Sequence, residues 1–160
     1  MSPRSKQQSK REGFTLIELM IVVSVISIVA AIAIPNLLAA RISGNEASAI
    51  SSLRTLMSVS EVYRNRFGVY PGATSADGLG DLSNPALLPA PFIDSQLGGG
   101  KKAGFSFTYT GADNTWSCVG DPSTVEFGIR SFFIDQSGVI RAEADFLTNG
   151  PATDVSTPLD

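Results

Sequence analysis

Histidine is absent from these 160 residues, and cysteine occurs once, at Cys118. The first absence removes the commonest general base near neutral pH and the commonest metal-binding side chain. It also rules out any Ser-His-Asp arrangement. The second excludes an internal disulfide. Cys118 has no basic neighbour in sequence and reads as a small apolar side chain in a strand rather than a reactive thiol. No nucleophile–base pair stands out, so the chain does not read as an enzyme. A strong charge of either sign is missing too: 12 basic and 15 acidic residues give −3. The basic residues are uneven, with Arg4, Lys6, Lys10 and Arg11 opposed only by Glu12 at the start of the chain. Setting aside those 4 bases and 1 acid leaves 8 against 14, or −6. A weakly acidic body is poorly suited to neutralising phosphates, and no nucleic-acid partner is predicted.

What the chain does have is one long apolar run. Residues 14–34 carry a single charged side chain, Glu18. That length is enough for a helix to cross a hydrocarbon core about 30 Å thick. The basic residues before it favour a cytoplasmic N-terminus, with the rest of the chain on the far side. Three readings compete. A cleaved secretory signal would use the basic start, the apolar run and Ala31–Ala33 as a small-residue cut site, but the run is longer than the usual apolar region and Glu18 interrupts it. A plain membrane anchor explains length and orientation. It leaves Glu18 unexplained, although an acid at a span's centre costs about 2.5–3.5 kcal/mol on insertion scales.

The third reading uses every residue. The stretch "KREGFTLIELMIVVSVISIVAAIAIP" strongly resembles the N-terminus of type IV prepilins and type II secretion pseudopilins. Gly13, Phe14, Thr15, Leu16, Ile17 and Glu18 match the family pattern without a departure, and Pro35 falls where these proteins carry a helix-bending proline. The resemblance implies that a prepilin peptidase cuts between Gly13 and Phe14, that Phe14 is then N-methylated, and that the apolar segment serves as membrane anchor and later as the core of a helical filament. It also gives Glu18 a role in subunit assembly, neutralising the terminal amine of a neighbouring copy; the alternative is an interaction confined to its own helix N-terminus, which the helix dipole favours by roughly 0.3–1 kcal/mol. The partners implied are further copies of the chain, the peptidase, the membrane, and a pilus or secretion assembly machinery. The expected location is the bacterial inner membrane, single-pass, and then an extracellular or periplasmic filament. A pilus subunit is the first reading and a secretion pseudopilin the second. A secreted binding protein with an ordinary signal peptide is the third.

Five segments follow: a leader, 1–13; the apolar helix, 14–34; an amphipathic continuation, 35–67; a Gly/Pro-rich loop, 68–104; and a β-rich part, 105–160. Leu38, Ile42, Ala49, Leu53, Leu56 and Tyr63 make one helical stripe, with Ile50 and Met57 beside it, while Ser52 falls mostly elsewhere. Pro35 is expected to kink or loosen the helix, and Gly44 is a second weak point. Residues 14–67 would make a helix of about 80 Å. In the loop, a helical turn is expected around Pro85–Leu88 and a solvated turn at "GGGKK". Phe105, Phe107 and Tyr109 alternate with polar residues as a half-buried strand, and 115–119, 127–135 and 138–144 follow as further strands. The fold class is therefore α+β: a long N-terminal α-helix, half apolar and half amphipathic, packed on a small C-terminal antiparallel sheet of three or four strands, the pilin fold. Some major pseudopilins bind Ca²⁺ in this region, and Asp135 and Asp145, with Ser137, Glu143 and Asp154 nearby, are weak candidates for it. Turn-forming and solvated acids explain them equally well.

Overall fold

The computed structural model describes residues 13–73, 75, 77–84 and 91–159. The expected leader, apart from Gly13, and the turn expected around Pro85–Leu88 lie outside these residues. The chain divides into two compact units, the first ending at Leu37 and the second running Leu38–Asp160. Helix α1 is Leu16–Phe67.

In the first unit, α1 is apolar on all sides and its side chains are exposed. This is the pattern of a helix whose solvent is not water. It is long and apolar enough to cross a membrane. Its serines are bonded within the helix: Ser24 Oγ donates to the Ile21 carbonyl and Ser27 Oγ to the Val23 carbonyl, each at 2.8 Å. Their hydroxyls therefore need no water. Pro35 lies inside α1, which continues through it, although the proline has no N–H to give to the preceding turn.

In the second unit, α1 buries Glu46, Ala49, Leu53, Leu56, Ser60 and Tyr63. Alternate steps of three and four keep these residues on one stripe. The stripe differs from the expected one. Leu38 is exposed, whereas Ser52 and two further polar residues, Glu46 and Ser60, are buried. Glu46 and Ser60 enter the stripe because the sheet and its loops offer them partners, described below, whereas the Ser52 hydroxyl donates to the Ser48 carbonyl of its own helix at 2.9 Å.

The sheet is antiparallel with strands in chain order: β1 (Lys101–Lys102), β2 (Phe105–Gly111), β3 (Trp116–Pro122), β4 (Ser131–Asp135), β5 (Arg141–Glu143) and β6 (Thr157–Pro158). Phe107 pairs with Gly120, Tyr109 with Cys118, Cys118 with Ile134 and Phe132 with Ala142. These residues share one face, and with Phe105 and Trp116 they form a core with Ala49, Leu53, Leu56 and Tyr63 of α1. The helix-on-sheet arrangement is the one expected.

Several details differ. The sheet has six strands rather than three or four, because two short edge pairs, β1 and β6, add to it. Residues 68–104 are not a bare loop. They contain α2 (Gly78–Ser83) and α3 (Ser95–Gly98), each begun by an aspartate, Asp77 or Asp94, whose carboxylate accepts backbone N–H bonds. Leu79, Leu82, Ile93 and Leu97, among the described residues of this region, are buried in the core. The lysines of "GGGKK" form β1, and the turn precedes them at Gly99–Gly100, where Gly100 has φ of +73°. The strand expected over 127–135 starts only at Ser131, because Glu46 takes the N–H groups of Ile129 and Arg130 out of the ladder.

Gly111, at the end of β2, lies directly against the backbone of Pro71, and an added Cβ would overlap the Pro71 carbonyl. Both partners are main chain, so neither can swing aside. Gly111→Ala should therefore lower unfolding stability by about 1–3 kcal/mol, as overpacking does. Denaturant titration of the full chain in detergent measures this, and an unchanged midpoint would contradict the packing described.

Candidate functional site

The residues singled out at the N-terminus form one local construction. Thr15 and Glu18 make a reciprocal capping box: the Thr15 N–H and hydroxyl donate to Glu18 Oε2 at 2.8 and 2.7 Å, and the Glu18 N–H donates back to Thr15 Oγ1 at 3.3 Å. The signature was readable as Thr-x-x-Glu at 15–18, but the sequence reading assigned Glu18 to a dipole or a neighbour and overlooked Thr15. In a single chain, then, the carboxylate is engaged by its own helix start. Phe14 is fully presented to solvent, at 83% exposure. Among the described residues, nothing stands where a Cβ on Gly13 would lie.

In the second unit, Glu46 is the strongest polar junction. Its Oε1 accepts the N–H groups of Ile129 at 3.0 Å and Arg130 at 3.1 Å. Its Oε2 accepts from Arg130 Nε at 2.9 Å and lies 2.8 Å from Nη2. The carboxylate is buried and the guanidinium half exposed. Sequence reasoning missed Glu46 because its partners are more than eighty residues away. Ser60 is a similar case: its hydroxyl meets the Tyr109 hydroxyl at 2.9 Å, and Tyr109 stacks on Trp116 with ring centres 5.4 Å apart. Burial pushes the Tyr109 phenol far above its ordinary range. At the end of α1, Tyr70 donates to Glu61 Oε1 at 2.7 Å and accepts from Arg64 Nη1 at 3.0 Å, which anchors the Tyr70–Pro71 turn.

The calcium candidates do not converge. Among the described residues no group of three or more His, Cys, Asp or Glu side chains comes together to hold a metal. Asp135 instead accepts the Ser137 N–H at 2.8 Å in the β4–β5 turn, Asp145 accepts the Thr148 hydroxyl at 2.5 Å, and Glu143 accepts from Asn149 and Ser156. Each acid is occupied by a turn or a tail contact, which is why they stay apart. Cys118 is fully buried, and burial pushes its thiol well above the usual range, as befits a packing residue. Lys102 pairs with Asp94 at 2.7 Å, and this contact, ahead of the Leu97 N–H, holds the Asp94 carboxyl below its usual range. Asp121 points away from α1, opposite Ser106, and its Oδ1 has no partner among the described residues. Burial raises its pKa.

Residues 8–34 match the model of the prokaryotic N-terminal methylation motif. The chain carries a prepilin-type N-terminus. It is 42% identical over 85 residues to the type IV wide pilus major component PilA4 of Thermus thermophilus, covering 52% of this chain and 65% of that one. It is 31% identical over 86 residues to the type II secretion system core protein G of Aeromonas hydrophila, covering 53% and 59%. To the type IV major pilin protein PilA of Myxococcus xanthus it is 32% identical over 107 residues, covering 54% and 48%. These matches span less than two thirds of each relative's length. No solved structure gives a significant match. The relatives are pilins and pseudopilins, and the helix-on-sheet arrangement fits that family.

Three substitutions follow from this geometry. Glu46→Ala strands two inward-facing N–H groups and should cost about 2–4 kcal/mol in unfolding stability. Glu46→Gln retains an acceptor and should cost less. Equal losses for the two would mean that the backbone bonds are unimportant. Asp121 gives a pH signature of the opposite sense to an ion-paired acid. Its folded pKa lies above the unfolded value, so the charged form weakens the fold at neutral pH, and the folded state gains stability as pH falls through the raised pKa. Asp121→Asn should raise the melting temperature at pH 7 and have less effect near pH 4. A lower melting temperature at pH 7 would show that the carboxylate is stabilising after all.

Proposed function

We propose that the chain is the structural subunit of a type IV pilus-like filament, made as an inner-membrane precursor. A prepilin peptidase cuts between Gly13 and Phe14 on the cytoplasmic side, Phe14 is N-methylated, and the subunits polymerise through α1. The observation that carries this reading is the methylation motif at the head of a helix that no part of its own unit covers. Gly13 adds support. No described side chain crowds it, which suits a peptidase that must grip an unhindered extended backbone.

In the filament, Glu18 neutralises the ammonium of Phe14 on a neighbouring copy. Cleavage creates that ammonium, so the carboxylate gains a charged partner only after processing. The Thr15 cap holds it in place until then, ready at the helix start. Lipid tails compete with neighbouring helices for apolar contact, so shape packing and this ion pair set subunit register rather than supply the whole driving force. A pseudopilin of a type II secretion system shares all of this chemistry. The core protein G relatives favour keeping it as the second reading; surface filaments visible by microscopy distinguish the pilus.

Glu18→Gln tests the assembly role in cells that supply the peptidase. The variant should insert in the membrane at normal levels and lose its leader. It should yield few or no filaments, because the Phe14 ammonium would enter an apolar core unpaired. Normal filament yield would overturn the pairing and leave Glu18 as a helix cap alone.

A further inference from the structure

The loop between β3 and β4, residues 123–130, is held firmly yet turns its apolar side chains outward. The Ser123 N–H donates to the Gly104 carbonyl at 2.8 Å, the Phe127 N–H to the Thr124 carbonyl at 3.0 Å, and Glu46 takes the two N–H groups at the far end. The Phe127 ring lies over Gly104, and Gly128 fits against Phe105, both too close for a Cβ. A loop fixed this well could bury its apolar groups. Instead Val125 is 48% exposed, Phe127 37% and Ile129 48%. Isolated exposed apolar residues are common, but three at alternate positions on an ordered loop form a patch that suits a partner.

The segment carries two charged side chains: Arg130, which Glu46 holds, and Glu126, which is exposed and belongs to neither ion pair of the described residues. On α1, Leu38 is 46% exposed, and Arg41, three residues on and so on the same face, is exposed as well. The ion pairs among the described residues are Lys102–Asp94 and Arg130–Glu46, so Glu126 and Arg41 do not pair with each other within the chain. One surface is an acid among apolar side chains. The other is a base beside an apolar side chain at the point where the long uncharged stretch of α1 ends. They are complementary in charge and in character.

We infer that residues 123–130 dock on the Leu38–Arg41 face of α1 in a second copy of this chain, with Glu126 paired to that copy's Arg41. This rests on the filament reading and deepens it by naming a contact between subunits away from the apolar helices. An exposed pair contributes little energy by itself, and its use is to fix register and exclude misaligned neighbours.

The test uses two full-length copies with different epitope tags, one carrying Val125→Cys and the other Leu38→Cys, expressed together with the peptidase. Filaments sheared from the cells are oxidised and run without reductant. A dimer bearing both tags is expected, with Cys118 too buried to contribute. In parallel, Arg41→Glu and Glu126→Arg should each reduce filament recovery about tenfold or more, and the two together in one chain should restore it, as a reciprocal cycle requires. Membrane levels of each variant show that the subunit is intact. Filaments that form without the two-tag dimer, or single reversals that assemble normally, would overturn the docking surface. A double reversal that fails to recover would overturn the Glu126–Arg41 pairing. An unmodified chain that forms no filaments would instead remove the filament reading, and this inference with it.

Discussion

Fifteen large apolar side chains from Phe14 to Leu37 have nothing among the described residues to lie against in their own unit. Burying such a side chain is worth about 1.5–3 kcal/mol, so leaving them all in water forfeits tens of kcal/mol. A domain's net stability is about 5–15 kcal/mol. The small core around Leu53, Phe105 and Phe132 cannot offset that exposure. The first half of α1 therefore has to be in lipid or against other helices at every stage. The cap at Thr15 and the self-bonded serines are arranged so that it can be.

The second half of α1 faces a different demand. It must grip a sheet while leaving its other side open. Its contact stripe is only partly apolar: Leu53 and Leu56 supply packing, whereas Glu46 and Ser60 supply direction through Arg130 and Tyr109. A buried carboxylate is a poor source of stability, but it tolerates only one alignment of its partners. Glu46 therefore aligns the helix with the start of β4, and it does so by diverting backbone groups that would otherwise have lengthened that strand. The ordered loop before β4 is a by-product of the same contact.

The helix, its apolar half and the alternation of β2 were legible because they rest on local periodicity. Phe105, Phe107 and Tyr109 could be placed on one face by counting. The six-residue match at Gly13–Glu18 was legible as a motif, although the Thr15–Glu18 cap within it went unread. What could not be read depends on distant partners. Ser60 looks like a surface serine until Tyr109 is beside it, and Glu46 looks solvated until Ile129 and Arg130 arrive. β6 pairs only because the tail returns to β5, which no local pattern announces. The acids weighed for calcium likewise take separate turn and tail partners that no local pattern announces.

The account makes the apolar helix a retained part of the mature chain and Phe14 its first residue. Intact-mass measurement of the protein purified from the membranes of its host tests that most directly. The predicted mass is that of a chain beginning at Phe14 and carrying one added methyl group. A chain beginning after Ala33 would mean that the helix is a discarded signal, and the account would be wrong at its foundation.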